Sequence, residues 1–361
     1  MAEHFEYAVG MSGGVDSSVV AALIKAQGHS VVGLTMKIWD GAVAITEGAR
    51  HACYGPGEDE DIAAAAGVCR SLGMDLVVVD LCEEYKTFVL DYFRAEYLAG
   101  RTPNPCVVCN KKVKFGFLLE KAAAAGVSFD RFATGHYARI VERDGRLHLR
   151  RAADRAKDQT YFIHQLSHEQ LVRIEFPLGE FTKREVREIA RARNLPVAER
   201  PESQDFIGGG DYSVLFSENQ VVPGDIVDEQ GTVLGHHDGF IHYTVGQRKG
   251  LGIASTEPWY VYRIVPKRNQ VVVSRRQEIL SFELTADGVT WAAGAPPAAP
   301  LRCAARIRQK HAEAPALVTP TGPDTVLVQF DDPQLAVTPG QAVVFYDDDV
   351  VLGGGIICSP R

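Results

Sequence analysis

At 361 residues the chain is long enough for two or three domains, and its 46% hydrophobic and 23% charged content is that of a soluble globular protein. No run reaches the ~18–20 apolar residues that span a bilayer, and the first residues lack a basic segment followed by a long apolar stretch, so we expect no membrane partner and a cytoplasmic location. A net charge of −8 gives no help to a nucleic-acid partner, and seven scattered cysteines argue against a disulfide framework while leaving room for thiol chemistry.

Residues 5–11 read as a buried strand, and the turn after it is Ser12-Gly13-Gly14-Val15-Asp16-Ser17-Ser18. Residues 16–27 read as the helix that follows. Strand, glycine-rich turn and helix aim backbone N–H groups and a positive helix end at an anion. Two glycines allow close approach to phosphate, and three serines add hydroxyls. Asp16 repels phosphate unless a cation lies between them, which points to Mg²⁺-bound pyrophosphate. The alternative is an ordinary capped turn. The Walker pattern is excluded, because no lysine follows the last glycine.

Residues 30–36 and 74–80 read as further strands and residues 58–72 as an alanine-rich helix opened by acids, with Cys53 in the loop between. Helices are expected over 83–99 and 114–125, and another strand over 129–134. This alternation implies a doubly wound parallel α/β sheet with its ligand beyond the carboxyl ends of the strands. Between those two helices lies Arg101-Thr102-Pro103-Asn104-Pro105-Cys106-Val107-Val108-Cys109-Asn110-Lys111-Lys112, read as an irregular loop. The CxxC spacing permits a disulfide, a metal or an iron–sulfur cluster, and Lys111, Lys112 and Lys114 are expected to favour thiolate. Cys69, Cys82, Cys303 and Cys358 read as small core residues.

Residues 158–200 read as helical and charged, with a capping box at Thr182 and Glu185 and basic residues that would meet phosphates or face water. From about residue 220 short alternating segments such as 260–265, 270–274, 325–330 and 341–346 indicate one or two small barrels, with 292–300 a loop. The expected domains are 1–150, an α/β ATP-binding catalytic domain; 151–218, a helical central domain; and 219–361, a β-rich domain.

The 12–18 turn resembles the SGGxDS signature of the PP-loop ATP pyrophosphatases, which adenylate a substrate and release pyrophosphate. The chain is similar nearly end to end to the MnmA family of tRNA-specific 2-thiouridylases. The likeness rests on SGGVDSS at 12–18, GLTMKIWD at 33–40, AEYLAGRTPNPCVVCNKKVKF at 95–115 and ATGHYAR at 133–139. KDQTYF at 157–162, PESQD at 201–205, YTVGQRKGLGI at 243–253 and LGGGII at 352–357 continue it. The resemblance implies an adenine nucleotide hydrolase-like fold and ATP-dependent 2-thiolation of a tRNA wobble uridine: the base oxygen is adenylated and sulfur then displaces AMP. It implies ATP and Mg²⁺ as cofactors, and as partners tRNA and a sulfur donor (a persulfide carrier, desulfurase or sulfide), not DNA.

Carried over by residue, Met11, Ser12, Gly13, Gly14, Val15, Asp16, Ser17 and Ser18 would hold ATP, with Met36 and Gly135 at neighbouring strand ends. Asn104, Pro105 and Cys106 would face the target base, and Cys109 matches the nucleophile. Lys157, Asp158 and Gln159, with His136 and Gln341, match tRNA-contact positions. Two departures stand out. The family pattern Asp-x-x-Cys reads Cys106-Val107-Val108-Cys109, and the region of the family's second catalytic cysteine, 201–212, holds none. Two repairs suggest themselves. In one, Cys106 and Cys109 form a persulfide–disulfide pair. In the other, Cys53, Cys106 and Cys109 ligate a [4Fe–4S] cluster whose fourth iron holds sulfide. The alternative function is another PP-loop adenylating enzyme or sulfurtransferase acting on a different acceptor.

Overall fold

The computed structural model describes residues 4–45, 52–201 and 205–360, which form two compact units. The first takes the chain up to Val89, then Cys106–Asp211 and Asp349–Val351. The second takes Leu90–Pro105, Tyr212–Asp348 and the chain from Leu352 onward.

In the first unit β1 (His4–Gly10), β2 (Val31–Lys37), β3 (Ala52–Tyr54), β4 (Leu76–Asp80), β5 (Ser128–Ala133), β6 (Ala138–Arg143), β7 (Arg146–Arg151), β8 (Ile174–Glu175) and β9 (Asp205–Ile207) follow in order. Five of them form the parallel sheet β4-β2-β1-β5-β8. The Val-rich run of β2 is buried almost throughout, as a strand covered on both faces requires. Helix α1 (Val15–Ala26) buries Val15, Val19, Val20 and Ile24 against β1, and α2 (Glu58–Ser71) adds Ala65 and Val68 to the same core. The order reverses at β1, whose neighbours are β2 and β5. The carboxyl ends of those three strands therefore flank the crevice where a doubly wound sheet binds its ligand.

Several expectations change. Residues 174–175, read as helix, are the edge strand β8, paired with Phe132 and Ala133. Two residues are too short for any periodicity to betray them. The CxxC segment, read as a loop because of its prolines, is helical. An α-turn spans Pro105–Val108, and a π-helical stretch, Cys109–Phe117, runs on into the helix Leu118–Ala124. Pro105 opens the turn at the position where a missing N–H costs nothing. Cys53 sits in the short strand β3, which pairs in parallel with β9 through Ala52↔Asp205 and Tyr54↔Ile207. Cys358 is exposed at a strand end rather than in a core.

In the second unit β10 (Gly224–Val227), β11 (Val233–His237), β12 (Tyr260–Val265) and β13 (Gln270–Ser274) make a sheet in the order β11-β10-β13-β12. Then come β14 (Leu280–Trp291), β15 (Leu301–Arg306), β16 (Ala314–Pro320), β17 (Val326–Leu335), β18 (Ala342–Asp347) and β19 (Val350–Pro360). They run β14-β17-β16-β15-β18-β19, and β14 pairs back onto β19 to close a barrel with no free edge among them. Its interior holds Leu284, Val318, Val328 and Phe345, with Trp291 stacked on Phe345 at 5.6 Å.

Candidate functional site: a phosphate loop and three thiols

The turn after β1 is shaped by what surrounds it. Gly13 has φ +70°, and a Cβ there would come within 2.3 Å of the Asp61 carbonyl oxygen. Ser17 Oγ accepts the Ser12 N–H at 3.2 Å, and Ser18 Oγ donates to the Gly14 carbonyl at 2.8 Å. Ser18 is fully buried, so its hydroxyl shapes the loop. Gly14 caps α1 without any side-chain cap, so the first helical N–H groups are left for an anion. Gly135, beyond β5, lies so close that a Cβ would sit 2.9 Å from the Ser17 nitrogen. Arg200 ties the loop to α2, donating to the Gly13 carbonyl at 2.9 Å while pairing with Asp61.

These elements wall a cavity of about 360 Å³ lined by Met11, Ser12, Asp16, Met36, Gly135 and His136, with Cys53, Lys114 and Lys183 also reaching it. Met36 is placed by Glu58, whose buried carboxylate accepts the N–H groups of Ile38 at 2.7 Å and Trp39 at 3.0 Å just beyond β2. Burial raises the Glu58 pKa against those hydrogen bonds. Asp16 is already occupied by protein partners. Lys183 Nζ lies 2.7 and 2.8 Å from its two carboxylate oxygens, and Tyr137 Oη donates to it at 3.1 Å.

The three expected thiols all lie in the first unit, Cys53 exposed on β3 and Cys106 and Cys109 half-buried. Burial pushes Cys106 up to about 12 and Cys109 up to about 11. Each of the CxxC thiols is pushed further by a neighbouring thiol's charge, Cys53 acting on both. Their shared neighbour is Tyr85, fully buried and stacked on Tyr54 at 5.4 Å. The expectation that Lys111, Lys112 and Lys114 favour thiolate is corrected here. Only Lys114 acts on the thiols, and desolvation outweighs it. The iron–sulfur expectation fares no better. Among the described residues no three His, Cys, Asp or Glu side chains are grouped to hold a metal ion, so Cys53, Cys106 and Cys109 as placed do not fit a cluster.

Residues 6–208 match the tRNA methyl transferase HUP domain family, 213–275 the tRNA methyl transferase PRC-barrel domain and 281–357 the aminomethyltransferase beta-barrel domain. The tRNA-specific 2-thiouridylase MnmA of Geobacter metallireducens is 48% identical over 358 residues, covering 97% of this chain and 95% of the relative. That of Syntrophotalea carbinolica is 48% identical, covering 97% of each chain. That of Endomicrobium trichonymphae is 45% identical, covering 97% of this chain and 98% of its own. The chain belongs to the MnmA family of tRNA-specific 2-thiouridylases.

The remaining positions that the MnmA resemblance singles out fall in different surroundings. His136 is buried in the cavity wall, Nδ1 2.8 Å from Thr134 Oγ1, and burial holds its pKa well below the usual imidazole value. It thus presents a neutral ring. Asp158, expected to contact tRNA, is 2% exposed and holds the turn, accepting from the Ala152 N–H at 3.2 Å and Thr160 Oγ1 at 2.8 Å. Gln159 lines the cavity and accepts the Tyr137 N–H at 2.8 Å, and Lys157 is half-buried beside it. Asn104, Pro105 and Gln341 belong to the second unit, where the Gln341 amide donates to the Thr102 carbonyl at 2.8 Å. Of the PESQD marker, residues 202–204 lie outside the described residues. Sequence reasoning missed Glu58, Tyr137 and Arg200, and singled out Lys183 only among the basic residues of 182–193 that would meet phosphates or face water, behind the capping box at Thr182 that announces a helix start at Lys183.

Proposed function

We propose that this member of the MnmA family activates the wobble uridine of tRNA with ATP and replaces its 2-oxygen with sulfur. The observation that carries the reading is a single cavity wall holding both the phosphate loop and a thiol, Cys53, with Cys106 and Cys109 in the same unit. A target base must leave its stack to enter such a pocket. The base oxygen attacks the α-phosphorus of ATP, the bond to the bridging oxygen breaks, and pyrophosphate leaves with the electron pair. The loop N–H groups after Gly14 suit that departing charge. Asp16 would hold Mg²⁺ against the phosphates.

Sulfur follows by the persulfide–disulfide route. One thiol of the CxxC attacks the outer sulfur of a donor persulfide, the donor S–S bond breaks and the donor leaves as a thiol; the outer sulfur of the new persulfide then attacks C2 and displaces AMP. The other thiol then attacks the inner sulfur, the S–S bond breaks toward the base, and a Cys106–Cys109 disulfide remains for a thiol reductant. Cys53 is the third thiol of this set. The β3–β9 pairing sets it beside residues 205–207, in the region where the family has its second catalytic cysteine. Two family descriptions speak of methyl transfer, whereas thiols beside a phosphate loop suit the thiouridylase chemistry that the full-length relatives are named for.

The test is to mix the protein with ATP, bulk tRNA, a persulfide donor and a thiol reductant, following pyrophosphate release and thiouridine by mass spectrometry. The reading expects tRNA-dependent release and new 2-thiouridine. Cys109→Ser should keep the release and lose the thiouridine. Release that requires an acceptor other than tRNA would favour a different PP-loop adenylating enzyme.

A further inference from the structure

Asp16 sits at the amino end of α1, in the loop where phosphates are expected, yet its carboxylate already has a cation. Lys183 Nζ reaches both oxygens at 2.7 and 2.8 Å, and the pair lies in the cavity wall, with the lysine side chain 12% and the aspartate 30% exposed. The lysine is held from several sides. It opens the helix Lys183–Ala192 behind a complete Thr182–Glu185 capping box, its N–H donates to the Asp154 carboxylate at 3.0 Å, and its ammonium lies 5.8 Å above the Tyr137 ring. The helix packs into the same core as α1 through Val186 and Ala190, so the backbone carrying Lys183 is fixed relative to the loop. A divalent cation and an ammonium cannot both hold the two oxygens of one carboxylate at such distances without repelling each other.

We propose that Lys183 is the resident counter-cation of Asp16, and that on nucleotide entry it yields the carboxylate to a divalent cation and neutralises the charge of the departing pyrophosphate. This rests on the reading of the 12–18 loop as a nucleotide-phosphate site. Lys183 supplies what the Walker lysine supplies elsewhere, but from another element of the chain. No electrons are transferred in the step. The P–O bond breaks toward pyrophosphate, whose growing negative charge meets an ammonium already in the wall.

The proposal makes two quantities move in opposite directions. With Lys183→Met, Asp16 loses its competitor, so the Mg²⁺ concentration for half-saturation in the presence of a non-hydrolysable ATP analogue, read by titration calorimetry, falls several-fold. The maximal rate of tRNA-dependent pyrophosphate release falls about 100-fold, as removal of one preorganised charge partner does. Lys183→Arg, which keeps the charge, recovers most of the rate. A maximal rate within about threefold of the unaltered protein would overturn the proposal. So would a half-saturating Mg²⁺ that rises as the rate falls, the mark of a merely structural residue. If Lys183→Met does not fold, Lys183→Gln carries the same measurement. Absence of release from the unaltered protein under all conditions would instead sink the reading of the site itself.

Discussion

Cys109 shows how a single side chain is governed by its surroundings. Its thiol lies near 11 because burial outweighs the Lys114 charge, so below that pH the thiolate fraction rises tenfold for each pH unit. Alkylation of Cys109 by iodoacetamide, read by mass spectrometry in the substrate-free protein, should therefore keep rising tenfold per unit from pH 7 to 10. A plateau near pH 8 would show that the charge outweighs burial. Sequence spacing revealed the pair of thiols but not their protonation, because Lys112 is the nearer in the chain while only Lys114 is among the charges acting on Cys109. Gly135 was legible through its motif. The reason for it, that a Cβ there would sit 2.9 Å from the Ser17 nitrogen in the first turn of α1, lies far away in sequence. The ion pairs of Lys183 and Arg200 were hidden for the same reason, since their partners Asp16 and Asp61 lie more than a hundred residues earlier.

The helix Lys183–Ala192 was announced by its capping box, in which the Glu185 N–H donates to Thr182 Oγ1 at 3.3 Å and the Thr182 N–H to Glu185 Oε2 at 2.7 Å. Thr182→Ala should cost about 1 kcal/mol at that helix end. Amide hydrogen exchange in its first turn should then accelerate about fivefold, with exchange in β1 and β2 unchanged. The strands β1, β2, β4 and β5 were legible from their apolar runs. β8 was not, because an edge strand of two residues has no pattern of its own and exists through its pairing with β5. The CxxC segment was misread for a different reason. Its prolines signal a break, yet one of them opens a helical turn, and the π-helical stretch that follows keeps no 3.6-residue repeat that a sequence would display.

For the whole molecule the net charge of −8 opposes a polyanion, so tRNA must be met by local cations. Lys157→Glu should weaken tRNA binding and lower the slope of log affinity against log salt by about one or two. Titrations at several salt concentrations would show this, and an unchanged slope would remove the residue from the phosphate-contacting surface.

The way the chain is shared between the two units bears on how it is made. Arg139, Arg150 and Arg155 of the first unit gather around one carboxylate, that of Asp349. On a translating ribosome, domains usually fold as they emerge, the earliest first. Here the arginines emerge long before their shared carboxylate, and nearly all of the second unit is synthesised in between. The catalytic unit cannot finish folding early in synthesis. A nascent chain stalled before Asp349 would carry three arginines without their shared carboxylate, a basic surface apt to capture ribosomal or transfer RNA before it can modify any.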